Sequence, residues 1–196
     1  MIEYFSMPTF EEEHYCDNPA SFPINKFHQT GSGKGKFVLI VGESPAANGW
    51  RKSGKAFYNP EMKILPTGKR LNLLLSDVDL SVEKCGFTEI VKCYLGKNRK
   101  DLSKCGRNCW PIFVNQIKSV NYKLIITLGV KTMEIIKEMS KEKIEMGKLS
   151  TININKNNYL ILPIYHPSPI NPHNMKRNQT IFAESKDFLL RVLKQT

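Results

Sequence analysis

No apolar run in this 196-residue chain reaches the ~20 residues that a membrane-crossing helix requires, so integral membrane classes drop out first. The opening residues Met1, Ile2, Glu3, Tyr4 and Phe5, with three glutamates at 11–13, lack the basic-then-apolar layout of a secretory signal, and a cytoplasmic location is the expectation. Cysteine is sparse and odd in number: Cys16, Cys85, Cys93, Cys105 and Cys109 cannot all pair, and without a secretory context no disulfide framework is expected. Acidic residues are short as well. Against 29 Lys and Arg stand 18 Asp and Glu, a formal net charge of +11. Such an excess favours polyanions, nucleic acid first, because each phosphate neutralised releases condensed counterions. Lysine used merely as a solubiliser would give the same number.

What remains is a chain with 41% hydrophobic residues, enough for the core of one domain. Its organising stretch is residues 37–45. Phe37, Val38, Leu39, Ile40 and Val41 form an unbroken apolar, largely β-branched run, entered through Gly31–Gly35 and left through Gly42-Glu43-Ser44-Pro45. That pattern predicts a strand buried on both faces, as in a parallel sheet, with chemistry just past its carboxyl end. Residues 46–66 then run long and polar without a period, which is uncommon in a compact domain unless functional.

Apolar spacing predicts a helix over 67–81, a strand over 87–91, a helix opening near Pro111, a strand over 123–128 and a helix over 130–140. A hairpin over 151–165 turning at 156–158 and a helix from about Thr180 complete the set. Residues 92–107 read as basic and irregular. Strands alternating with helices give an α/β class, a three-layer α/β/α domain around a mostly parallel four-stranded sheet with an added hairpin strand. Residues 1–36 read as an arm laid over the core domain at 37–196. Three loops leave strand ends on one edge: 42–66, 92–107 and 166 onward. In the last, His166-Pro167-Ser168-Pro169 is a stiff loop suited to holding an imidazole at a fixed place.

These motifs, in order, resemble the uracil-DNA glycosylase superfamily. Gly42-Glu43-Ser44-Pro45, running on to Gly49 and to Ser53-Gly54-Lys55-Ala56-Phe57, has the spacing of the first motif of the single-strand-selective monofunctional group, with a Gly-Glu opening closer to family 4. The stretch Val91-Lys92-Cys93 to Asn98-Arg99, with residues 109–116 and 124–129, looks like family 4, and residues 166–174 look like the single-strand-selective group.

The resemblance implies a monofunctional DNA glycosylase that flips out uracil and hydrolyses its N-glycosidic bond in base-excision repair. The leaving uracil gathers negative charge, and a neutral His166 would donate to its O2. Asn98 matches the reader of the uracil edge, since an amide offers a donor and an acceptor together. Phe57 matches the aromatic on which the base stacks. Glu43 or Ser44 would position the water, with Glu43 favoured, while Gly42 and Ser168 line the substrate. Lys52, Lys55, Lys92, Lys97, Arg99, Asn171, Lys176 and Arg177 flank these loops as DNA contacts, and Ile170 either wedges into the stack or simply packs.

No cofactor is expected. Family 4 enzymes hold a 4Fe–4S cluster on four cysteines; Cys93 and Cys109 match the middle pair, but only Cys16, with His14 nearby, stands where an N-terminal pair belongs. The expected partner is uracil-containing DNA, bound by a monomer. A non-catalytic nucleic-acid-binding homologue and a glycosylase for another deaminated or mismatched base are the alternatives.

Overall fold

The computed structural model describes residues 25–96 and 99–194. In chain order the elements are β1 (His28–Gln29), β2 (Val38–Gly42), α1 (Trp50–Ser53), α2 (Pro66–Ser76), β3 (Gly86–Glu89), α3 (Leu102–Lys118), β4 (Leu124–Leu128), α4 (Val130–Ser140), β5 (Ser150–Ile154), β6 (Asn157–Ile164) and α5 (Pro172–Lys194). The strands form one sheet in the order β1-β3-β2-β4-β6-β5. Its four middle strands pair in parallel, and β1 and β5 close the two edges antiparallel.

Strand β2 is buried on both faces because Val38, Leu39, Ile40 and Val41 feed two separate cores. Val38 and Ile40 join Ile126, Leu162 and Ile164 against Leu71 and Leu74 of α2 and Phe182 and Leu189 of α5. Leu39 and Val41 join Ile125 and Ile161 against Phe113 and Ile117 of α3 and Ile136 of α4. The result is the expected three-layer α/β/α arrangement. Among the described residues no helix is long and apolar enough to cross a membrane.

Four boundaries differ from the sequence expectation, each for a physical reason. Helix α3 starts at Leu102 and carries Pro111 inside it. An internal proline costs about 3 kcal/mol, but the buried stripe Leu102, Cys105, Cys109, Ile112 and Gln116 runs through it at helical spacing, so tertiary packing prevails. Residues 102–107 are therefore helical rather than irregular. Helix α5 begins at Pro172, a favoured first helical residue, eight residues before its apolar face declares itself. Helix α2 stops at Ser76, and Asp79 at φ +60 turns the chain so that Val78 and Leu80 are buried from a turn. The hairpin turns at Asn155 and Lys156, both left-handed (φ +50 and +68), which is what a two-residue loop between twisted strands requires.

Strand β1 was not anticipated. It lies in residues read as an arm, and its His28 Nε2 lies 2.9 Å from the Tyr122 hydroxyl. The rest of that arm, 1–24, lies outside the described residues.

Phe182 has no solvent exposure and sits in the α2/α5 core. Phe182→Ala is expected to cost about 3–5 kcal/mol in chemical denaturation, with the slope against denaturant unchanged.

Candidate active site

The site is built where β2 ends. The parallel ladder does not stop at Gly42: Ile90 N donates to the Gly42 carbonyl (2.9 Å) and Val91 N to the Glu43 carbonyl (3.0 Å), so the backbone that carries Glu43 is pinned to the chain leaving β3. The half-buried Glu43 carboxylate accepts from the Arg99 guanidinium in an ion pair. Arg99, expected as a DNA contact, thus has a partner inside the site. Ser44, the other candidate beside the water, is half-buried next to it.

His166 follows β6 directly, and its loop is held from behind. Asn178 of α5, fully buried, accepts from Tyr165 N (2.9 Å) and donates to the Tyr165 carbonyl (2.7 Å), closing both backbone groups of the preceding residue. Asn174 donates to the His166 carbonyl (3.2 Å), and Arg70 donates to the Ser168 carbonyl (2.8 Å). Water reaches the imidazole. Crowding by surrounding protein, and then the charge of Arg99, still hold its pKa below the ordinary histidine value, so it is neutral at pH 7.

Phe57 is 8% exposed, pressed against Phe87 with ring centroids 4.4 Å apart. Its backbone is left-handed (φ +64), a rare state for an aromatic residue and one that clusters at functional sites. Helix α2 holds it there: a Cβ at Gly68 would lie 2.8 Å from Phe57 Cβ, so only glycine lets the helix come this close. The ring is embedded rather than free-standing and offers a base little surface. Ile170 is the opposite case, 92% exposed at the tip of the histidine loop. Lys52, Asn171, Lys176 and Arg177 are exposed, Arg177 over the Tyr165 ring, while Lys55 is half-buried over Tyr58. Lys97, Asn98 and Cys16 lie outside the described residues.

Lys92 is a correction. Read as a phosphate contact, it is 2% exposed. Its ammonium donates to Thr88 Oγ1 (2.7 Å), to Gln116 Oε1 (2.6 Å) and to the Glu89 carbonyl, and Thr88 Oγ1 donates to the Phe27 carbonyl (2.7 Å). Gln116 Nε2 donates to the Lys26 carbonyl (3.0 Å), so the network docks the chain before β1 onto β3 and α3. Burial brings the Lys92 pKa down to about 7, with Cys109 and Glu89 opposing the shift.

Glu89, the last residue of β3, was missed altogether. It pairs in register with Gly42, and its Oε2 lies where a Cβ on Gly42 would be. It is 7% exposed, and among the described residues Oε2 has no hydrogen-bond partner. Burial, reinforced by Glu43 and opposed by Lys92 and Arg99, pushes its pKa up to about 8. A charged residue in the otherwise buried strand pattern Phe87-Thr88-Glu89-Ile90-Val91 was the available signal. Asn178 had one too, as a polar residue three and four positions before Ile181 and Phe182 on the buried face of α5.

Polar side chains gathered past the carboxyl ends of parallel strands, with helices on both faces of the sheet, are the layout of an α/β enzyme. The chain belongs to the uracil DNA glycosylase superfamily, whose family model matches residues 29–190, and it is a DNA glycosylase. It is 29% identical over 188 residues to the type-4 uracil-DNA glycosylase of Saccharolobus solfataricus, covering 91% of this chain and 84% of that protein. To the type-4 uracil-DNA glycosylase of Sulfurisphaera tokodaii it is 24% identical over 161 residues, 78% of this chain and 70% of the relative. Of the two groups resembled by the motifs, family 4 is the one these relatives carry.

That family raises the question of an iron–sulfur cluster. Cys85 is packed in the α2/α5 core, while Cys93 and Cys105 lie in the core on the other face of the sheet, which leaves Cys16, Cys93, Cys105 and Cys109 as a possible thiolate set. Among the described residues no three His, Cys, Asp or Glu side chains are grouped to hold a metal. The purified protein is expected to lack the visible absorbance of an iron–sulfur chromophore.

Glu89 also makes stability depend on pH. Its folded pKa lies above the unfolded one, so between about pH 4.5 and about 8 the folded chain binds more protons and loses stability as pH rises. Glu89→Gln removes this loss. The melting temperature of the variant is expected to gain on the native chain steadily up to about pH 8 and to hold a constant lead above it.

Proposed function

We propose that this chain is a monofunctional glycosylase that flips uracil out of DNA and hydrolyses its N-glycosidic bond without a cofactor. The observation that carries the reading is the convergence of Glu43, Arg99 and His166, from three separate loops, past the carboxyl ends of β2, β3 and β6.

Bond cleavage builds positive charge on the deoxyribose and negative charge on the departing uracil. His166, neutral because its pKa is depressed, donates a hydrogen bond to uracil O2 without a proton having to move. The Glu43 carboxylate, held by Arg99, orients the attacking water and faces the positive sugar, with Ser44 assisting. Arg99 adds a positive charge on the side of the leaving base. Phe57 and Gly42 form the walls, Asn98 reads the base edge, and Ser168 lies in the loop that positions His166. Lys52, Lys55, Lys97, Asn171, Lys176 and Arg177 take phosphates, and the exposed Ile170 fills the gap left in the stack. Lys92, the lysine closest to this site in the network, has its ammonium bound by Thr88, Gln116 and a backbone carbonyl, so no Schiff base is expected from it. The protein acts as a monomer in this reading.

Uracil-containing single- and double-stranded oligonucleotides, treated with the protein and then alkali, test the proposal by strand breaks at the abasic site. No product at stoichiometric enzyme would leave a non-catalytic DNA-binding homologue as the reading. His166→Ala is expected to slow excision by roughly 100- to 1,000-fold, the cost of losing one donor to a developing anion. Ile170→Ala should slow excision from duplex by roughly tenfold and leave single-stranded substrate nearly untouched, because only a duplex has a gap to fill.

A further inference from the structure

The base-side floor of this site contains a group that the proposed mechanism does not use. Glu89 emerges from β3 on the same face as Phe87, two residues earlier, and Phe87 is the ring that supports Phe57. Its carboxyl crosses to the bare Cα of Gly42, beneath the turn that carries Glu43. Glu89 thus lies between two walls assigned to the base pocket, buried, with Oε2 unsatisfied by any group among the described residues. Native structures satisfy nearly all such atoms, and an exception at a pocket floor points to a ligand.

We propose that Glu89 reads the extruded base, its carboxyl donating to the carbonyl oxygen and accepting from the adjacent ring N–H. Uracil presents this pair as O4 and N3–H. The inference rests on the glycosylase reading above and deepens it, moving the reading of this edge from Asn98 to Glu89.

The charged groups facing Glu89 decide whether the carboxyl can donate. Lys92 and Arg99 favour its ionised form, Glu43 disfavours it, and burial outweighs all three, so at neutral pH the proton stays on. A protonated carboxyl offers one donor and one acceptor side by side, as an amide does. Once ionised it can only accept, and it then opposes both O4 and the negative charge growing on the base. Base reading should therefore fail on the alkaline side of about 8.

The test is single-turnover excision from a single-stranded uracil oligonucleotide between about pH 6 and 9, for the native chain, Glu89→Gln and Glu89→Leu. The native rate is expected to fall by up to roughly tenfold per pH unit above the transition, as for one ionisation. E89L, similar in size but apolar, should lose roughly 100-fold or more at pH 7 while circular dichroism shows it folded. E89Q should recover most of what E89L loses and lack the alkaline fall that Glu89 causes; its profile retains every other titration in the reaction, that of uracil N3–H included. E89L at the native rate, or E89Q with the native alkaline fall, would overturn the role of Glu89 alone. A native chain that leaves uracil uncut at every pH overturns the glycosylase reading and this inference together.

Discussion

The parallel register that sets Gly42 beside Glu89 is the constraint on which the site depends. Because β2 and β3 run together to this point and their ladder continues through Ile90 and Val91, the turn carrying Glu43 is fixed by backbone hydrogen bonds rather than by side-chain packing. A glycine at the last position of β2 leaves room for the Glu89 carboxyl, and no other residue would. One main-chain pairing therefore places two carboxyl groups at the same edge, one turned to Arg99 and one turned inward. The like charge of Glu43 is among the causes that keep Glu89 protonated, so the two are set to different tasks by their surroundings.

Strand alternation divides the buried polar groups between the two faces of β3. Thr88 points to the α3 side, where it meets Gln116 and the Lys92 ammonium; Glu89 points to the other. On the α3 side the ammonium has three oxygen partners, which is what a buried cation needs if its desolvation is to be offset. On the opposite side Glu89 Oε2 has none among the described residues. A purely structural account covers the first group, since the network ties the backbone of Lys26 and Phe27 to β3 and α3. It leaves the second without a reason to exist, and the proposed contact with the base supplies one.

The layers and their central strands were legible because they rest on patterns that burial imposes directly. Residues 38–41 are apolar without interruption and 124–128 are broken only by the buried Thr127, as strands covered on both faces are, and α4 runs over the residues its period marks, Val130–Ser140. His166 was legible because prolines around it declare a stiff loop at the end of a strand, and the structure gives that loop its supports in Asn178, Asn174 and Arg70. What failed to show depends on partners far along the chain. Pro111 looks like a helix start until Phe113 and Ile117 are known to pack on the sheet. Lys92 looks like a surface cation in a basic stretch until Gln116, 24 residues on, closes over it. Glu89 looks like a lone charge in a strand until Gly42, far earlier in the chain, is found beside it.

The protonation states favour the same chemistry as the geometry. With Glu89 and His166 neutral, the Glu43–Arg99 pair is the charge at the centre of the site. A second carboxylate about 5 Å from the departing base would oppose its negative charge by roughly 3 kcal/mol at an effective dielectric of about 20. That is as large as the help expected from the His166 donor and would cancel it. Burying Glu89 deeply enough to keep its proton removes this opposition and converts the same group into a donor. The desolvation that makes the residue costly to stability is thus the property that the proposed base contact would use where an anion leaves.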